Sequence, residues 1–194
     1  MKETIKNLTK AFVGESQARN RYTFYSEIAK DEGFEQIAEI FLITADNERE
    51  HASWFFKLIN DFKKKTKEDL NEIEIETSVP TILGKTLDNL RAAIAGENHE
   101  HTMLYPGFAD AAKKEGYKDI AKRIRSIAIA EKHHEERYKK ILKEVEAKTV
   151  FKKPKEIWWF CRECGYMHFG REPPVTCPSC GHDRGFYQVR CEEY

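Results

Sequence analysis

Between Leu8 and Ala29 the positions Leu8, Ala11, Phe12, Ala18, Tyr22, Tyr25 and Ala29 recur at intervals of three and four, the period of an amphipathic helix. Gly33 supplies a stop with a left-handed backbone. A second stripe follows, in which Ile37, Phe41, Thr44, Glu48, His51, Phe55, Leu58 and Phe62 alternate strictly by four and three. The period is lost from Lys63 to Lys85, a stretch with a Lys63-Lys64-Lys65 run, a short Ile73/Ile75 alternation and Pro80. It reads as a connection long enough to cross over a bundle. Leu87, Leu90, Ile94, Glu97, His101, Leu104 and Phe108 form a third stripe, with Thr86 as its N-cap and Pro106 bending it. Beyond Gly116 a fourth stripe runs through Tyr117, Ile120, Ile124, Ile127, Glu131, His134, Tyr138, Ile141 and Val145.

The two helix pairs repeat one another. Gly14-Glu15 aligns with Gly96-Glu97 at an offset of 82. Glu32-Gly33-Phe34 with Glu115-Gly116-Tyr117, Ile37-Ala38 with Ile120-Ala121, and Glu48 and His51 with Glu131 and His134 all align at 83. One single-residue adjustment superposes the halves, which predicts a duplicated helical hairpin closed into an all-α four-helix bundle with pseudo-twofold symmetry.

After Lys148 the pattern stops. The chain divides into a bundle over 1–148, a linker over 149–155 containing Lys152, Lys153 and Pro154, and a unit over 156–194. That last unit is rich in aromatics, glycine and paired cysteines, and is too short to fold on buried apolar surface alone. A bound metal would supply what is missing.

Lys+Arg and Asp+Glu are both 33 in 194 residues, so no nucleic-acid footprint is expected. The apolar runs are too short for a membrane span, and Met1-Lys2-Glu3 does not resemble the start of an export signal, so a cytoplasmic location is expected. None of the five cysteines lies in the first 160 residues, and four fall between Cys161 and Cys180, a distribution that suits a metal site better than disulfides.

Glu15, Glu48, Glu97, Glu131, His51 and His134 occupy apolar-stripe positions where Leu or Ile would be the stable choice. Unpaired burial costs at least several kcal/mol per ion, and convergent carboxylates also repel one another. Bound cations remove both objections. Glu48-x-x-His51 and Glu131-x-x-His134 place each pair on one helix face, and one Glu from each of the other two helices completes the pattern of a carboxylate-bridged di-metal bundle. Glu100 also faces the site, whereas its counterpart in the first half is Ala18, so an extra ligand option exists on one side. Five carboxylates against two divalent cations leave one net negative charge. The donor set suits Fe or Mn without excluding Zn. His99, His101, His133, His168 and His182 have no repeat partner and are assigned surface or packing roles.

Cys161-x-x-Cys164 and Cys177-x-x-Cys180 form two tight turns whose thiolates can converge tetrahedrally on structural Zn or redox-active Fe. Cys191 stands apart as an ordinary thiol.

The runs Gly14-Glu15-Ser16-Gln17-Ala18-Arg19-Asn20-Arg21-Tyr22, Ala45-Asp46-Asn47-Glu48-Arg49-Glu50-His51-Ala52, Gly96-Glu97-Asn98-His99-Glu100 with Tyr105-Pro106, and Ala130-Glu131-Lys132-His133-His134-Glu135 resemble the di-iron motifs of the rubrerythrin family. The two cysteine turns resemble its rubredoxin-type ending. The resemblance implies a ferritin-like four-helix bundle with a small C-terminal rubredoxin-like domain, two Fe ions in the bundle, and Fe rather than Zn at Cys161, Cys164, Cys177 and Cys180.

By the same resemblance Glu48 and Glu131 bridge the irons, Glu15 and Glu97 each bind one terminally, and His134 holds the second. Glu100 and His51 exchange as ligands of the first. Tyr22 and Tyr105, core packing by stripe position alone, hydrogen-bond to site carboxylates. The implied activity is reduction of hydrogen peroxide, with electrons from an NAD(P)H-linked donor such as rubredoxin or its reductase. Ferritin-like ferroxidase or storage, or a zinc-ribbon interaction module, are the alternatives. The linker starts about 20 Å beyond His134 at 1.5 Å per residue, so a head-to-tail homodimer is expected to bring the cysteine iron near a partner's bundle site.

Overall fold

The computed structural model describes residues 2–66 and 71–192; Met1, residues 67–70 of the expected crossover and residues 193–194 lie outside the described residues. Helices α1 (Glu3–Asp31), α2 (Glu35–Thr66), α3 (Thr86–His99), α4 (Tyr105–Lys114) and α5 (Lys118–Glu146) precede strands β1 (Ile157–Cys161), β2 (Met167–Gly170) and β3 (Tyr187–Val189). α1–α2 and α4–α5 are antiparallel hairpins. Their turns are built alike: Gly33 and Gly116 have φ of 78° and 91°, and the next amide reaches five residues back, Phe34 N to Ala29 O and Tyr117 N to Ala112 O, both 2.8 Å.

Several boundaries differ from the sequence expectation. α2 continues to Thr66, because Phe62 is still buried and the three lysines sit in the last turn, where cations favour the helix dipole. Ile73 packs against the core, but neither it nor Ile75 lies in a strand. Thr86 does not cap α3. Lys85 holds the cap position, and the Glu32 carboxylate accepts from the Thr86 amide at 3.2 Å. Another acid, Glu115, accepts from the amides of Glu3 and Thr4 at 2.9 and 3.1 Å and fixes the start of α1.

The third helix is not one rod bent at Pro106. α3 passes into a π-turn over Glu100–Leu104, in which the Tyr105 amide bonds the Glu100 carbonyl five residues back, and α4 starts beyond it. A π-turn is an α-helix with one residue inserted. The repeat offset changes at this place: Ala18 aligns with Glu100 at 82, and Tyr22 with Tyr105 at 83. The single-residue adjustment between the halves is this insertion.

The interior falls into two apolar clusters. One holds Phe55, Tyr105, Phe108, Ile124 and Ile127. The other holds Tyr22, Tyr25, Phe41, Leu90 and Tyr138. A layer of buried acids and imidazoles lies between them.

In the C-terminal unit the antiparallel sheet has the order β2-β1-β3, with Trp159, Cys161, Cys177 and Tyr187 as its small core. The unit docks on the α1–α2 turn. Arg162 pairs with Glu39 at 2.6 Å, Phe34 stacks on Phe151 with ring centres 6.0 Å apart, and Gly185 meets the Gly33 carbonyl so closely that a Cβ would lie 2.6 Å from it. Among the described residues no helix is long and apolar enough to cross a membrane.

Candidate metal centres

Glu15 comes from α1, Glu48 and His51 from α2, Glu97 from α3, and Glu131 and His134 from α5. Ligand atoms of Glu15, Glu48, His51 and Glu131 lie within 4.8 Å of one another, as do those of Glu48, Glu97, Glu131 and His134. Glu48 and Glu131 belong to both groups, so two adjacent cation positions share two carboxylates. His51 Nδ1 is 2.9 Å from both Glu48 and Glu131, and His134 Nδ1 is 2.9 Å from Glu131, 3.2 Å from Glu48 and 3.5 Å from Glu97.

The donor set fits a metal pair on its own evidence. Glu15 Oε2, Glu48 Oε1, Glu97 Oε2, both Glu131 oxygens and His134 Nδ1 are buried without a well-formed hydrogen bond, and the two imidazole nitrogens beside them are too few to serve so many acceptors. That many under-satisfied polar atoms facing one another is costly in a protein interior, and bound cations would relieve the cost. Electrostatics agrees. Burial, reinforced by neighbouring carboxylates, raises Glu15 well above the usual range, and burial beside Glu48 pushes Glu97 up to about 8. Burial would also raise Glu48, but the two imidazoles outweigh it and hold it at about 2. Conversely, burial opposes charge on His51 and His134, yet the surrounding carboxylates lift them to about 10 and about 12. The cluster draws positive charge wherever it can find it.

Tyr22 donates to Glu97 Oε1 at 2.6 Å, and Tyr105 donates to Glu15 Oε1. The two tyrosines are symmetry mates in the repeat, and each crosses to the other half's glutamate. Each occupies one carboxylate oxygen and leaves the unpartnered Oε2 for the site. Glu100 stands outside both converging groups. Burial first, and then the charges of Glu97, Glu131 and Glu48, raise its carboxyl well above the usual range.

Cys161, Cys164, Cys177 and Cys180 also converge. The pairs Cys161–Cys180 and Cys164–Cys177 have Sγ···Sγ distances of 3.7 Å. That is close to the edge of a tetrahedron with metal–sulfur bonds of ~2.3 Å, about 3.8 Å. Each turn closes with a glycine at positive φ, Gly165 at 75° and Gly181 at 78°, whose amide bonds the first cysteine's carbonyl at 2.8 and 2.9 Å. Cys191 is exposed and outside the group.

The rubrerythrin family model matches residues 6–142, and the model of the rubrerythrin rubredoxin-like domain matches residues 159–188. This chain belongs to the rubrerythrin family. A putative rubrerythrin of Methanocaldococcus jannaschii is 62% identical over 195 residues, covering 100% of this chain and 96% of that protein. Rubrerythrin-1 of Clostridium acetobutylicum is 49% identical over 99% of this chain and 96% of its own length. Among solved structures, fully reduced, all-ferrous nigerythrin superposes with a TM-score of 0.64 at 26% identity, over 98% of this chain and 88% of that one. As a rubrerythrin the chain is a ferritin-like oxidoreductase with a di-iron carboxylate site and a rubredoxin-like four-cysteine site, and iron is the metal expected at both.

The sequence reading missed one group of residues beside the bundle site. Asn98, His101 and Glu135 form a polar network against it. Each follows directly on a metal-facing residue (Glu97, Glu100, His134), and that neighbourhood was the available signal.

Proposed function

We propose that this rubrerythrin is a non-haem di-iron peroxidase that reduces hydrogen peroxide to water, with electrons relayed through its Fe(Cys)4 centre from an upstream NAD(P)H-linked donor such as rubredoxin or its reductase. The observation that carries the reading is the presence, on one chain, of a six-residue oxygen and nitrogen donor set, five of its members buried, and a converging four-thiolate site. A ferroxidase or storage protein has no use for the second. Bound as ferrous ions, the metal pair supplies the two electrons that cleavage of the O–O bond requires.

In this reading Glu48 and Glu131 would be shared between the irons, Glu15 and Glu97 would each hold one, His134 would complete the second, and His51 and Glu100 would serve the first. Tyr22 and Tyr105 fix the terminal carboxylates by one oxygen each, so the other cannot rotate away from the site. Water is kept out on one side by the Tyr22, Tyr138 and Phe41 rings, 5.2 to 6.1 Å apart, and on the other by Phe55 and Tyr105, 5.6 Å apart. A dry site strengthens every carboxylate contact it makes.

The cysteine unit docks at Glu39, nine residues or about 13 Å along α2 before Glu48. In the proposed head-to-tail homodimer, one subunit's cysteine site would lie beside the partner's bundle site and offer electrons a second route. Stopped-flow oxidation of the fully reduced protein tests the activity. The expected result is oxidation by stoichiometric peroxide much faster than by oxygen; equal rates, or a faster reaction with oxygen, would remove the peroxidase assignment.

A further inference from the structure

The second half of the repeat carries three features without mates in the first: the inserted π-turn, the Glu100 carboxylate on it, and a network joining that turn to α5. Glu135 is buried, with a side-chain exposure of 5%, although it points at no metal-facing atom. Its Oε1 accepts from Asn98 Nδ2 at 2.9 Å and pairs with Lys139 at 2.6 Å, while its Oε2 lies 2.9 Å from His101 Nε2. The repeat positions matching Glu135 and Asn98 are Ala52 and Ser16, so no such network can form on the other side.

A π-turn disturbs the helical ladder and persists only where its surroundings hold it. Pro106 lacks the amide that would close an ordinary turn. Thr102 Oγ1 supplies a donor to the Asn98 carbonyl at 2.6 Å. These local contacts satisfy backbone groups but tie the turn to nothing else. Asn98 precedes the turn, His101 lies within it, and both end on one carboxylate of the neighbouring helix. Adjacent residues on a helix differ in direction by about 100°. The network therefore lines the seam beside the site while Glu97, Glu100 and His134 face into it.

We propose that Glu135, acting through His101 and Asn98, is a positioning residue that clamps the inserted turn to α5 and so sets where Glu100 presents its carboxylate to the metals. The claim rests on Glu100 being a ligand candidate, and it extends that reading to residues that touch neither metal nor peroxide. In the clamped state the carbonyls and amides of Glu100–Leu104 keep one register, and Glu100 would have one approach to the metal pair.

The test uses the full-length, iron-loaded protein and the variants Glu135→Ala, His101→Ala and Glu135→Gln, alone and combined with Glu100→Ala. Two readouts are taken: amide hydrogen exchange, and the visible absorption of the diferric site. Glu135→Ala and His101→Ala are expected to speed exchange at residues 100–105 by about tenfold or more, the effect of one lost hydrogen bond on local opening, with α1 and α2 unchanged. Their diferric spectra should shift as that of Glu100→Ala does, with no further shift in the double variants. Glu135→Gln, which keeps one acceptor in place, should lie near the parent on both readouts. His101→Ala removes a single arm, so the expectation can be checked even if Glu135→Ala folds poorly. Unchanged exchange at 100–105 overturns the clamp, and spectral shifts that add to those of Glu100→Ala overturn its link to the metal site. Failure of the peroxidase reading would instead appear as slow peroxide oxidation of the parent protein, and leaves both readouts intact.

Discussion

Tyr22 and Glu97 meet at 2.6 Å across the middle of the bundle, joining α1 to α3 within a layer where neither group can reach water. The hydroxyl satisfies one glutamate oxygen and leaves the other for the site. Tyr22→Phe keeps the ring and its packing but strands that oxygen. We expect a loss of about 1–3 kcal/mol in denaturant unfolding of the metal-free protein and roughly 10–100-fold weaker iron binding or activity. Tyr105→Phe should behave alike through Glu15. Unchanged iron affinity in both variants would show that the carboxylates need no such orientation.

The buried imidazoles predict opposite pH dependence with and without metal. His51 and His134 have folded values raised to about 10 and about 12 from an ordinary value near 6.5. Their contribution is fully present below about pH 6.5 and is lost as pH rises through the folded values. Glu97, raised to about 8, adds to the loss between about pH 4.5 and 8. The chelator-treated protein should therefore melt at a lower temperature at pH 9 than at pH 6. Iron requires the same groups deprotonated, so iron binding should strengthen over that range. Calorimetric scans of both forms at the two pH values compare the slopes directly, and parallel slopes would contradict the metal assignment.

The C-terminal unit should depend on its metal while the bundle does not. Among its described residues only Trp159, Cys161, Cys177 and Tyr187 form a buried apolar core, with a few half-buried side chains against them, too little apolar surface to hold the fold. Cys177→Ser is expected to make residues 157–189 readily cleaved by protease and to abolish the thiolate-to-iron absorption, with helix content unchanged by circular dichroism. Survival of the sheet in that variant would show that the metal is dispensable for folding.

Lys148 follows the C-terminus of α5 with φ of 56°, a left-handed conformation that costs a side-chain-bearing residue roughly 1–2 kcal/mol. The position belongs to a helix stop in which the Thr149 amide bonds the Glu144 carbonyl at 2.9 Å. Lys148→Gly should raise stability by about 0.5–1 kcal/mol after the entropy of glycine is counted. Urea titration checks it, and no gain would mean that other contacts of Lys148 offset the backbone strain.

Much of this architecture was legible because duplication repeats its own evidence. The Gly33 and Gly116 stops, the two Glu-x-x-His pairs and the two cysteine turns each appear twice in the sequence, and the structure places both copies alike. What periodicity does not carry is direction within a helix that departs from the α form. Glu97 and Glu100 are spaced as ordinary same-face neighbours, so the third stripe reads as one rod, yet a π-turn begins at Glu100, and only Glu97 of the two belongs to a converging group. The offset change from 82 to 83 held that information as a residue count rather than as a pattern of apolar positions. The roles of Thr86 and Glu32 were hidden for another reason. A cap supplied from 54 residues away depends on tertiary packing, which no local signal encodes.

Mössbauer spectroscopy of protein expressed and purified anaerobically in iron-rich medium, combined with metal analysis, tests the central claim most directly. The account predicts two irons in oxygen and nitrogen ligation, magnetically coupled when diferric, for every one in tetrahedral sulfur ligation, with Glu48→Ala or Glu131→Ala removing the coupled pair and sparing the sulfur-bound iron. Zinc in the cysteine site, or a bundle that takes up no coupled iron pair, would contradict it.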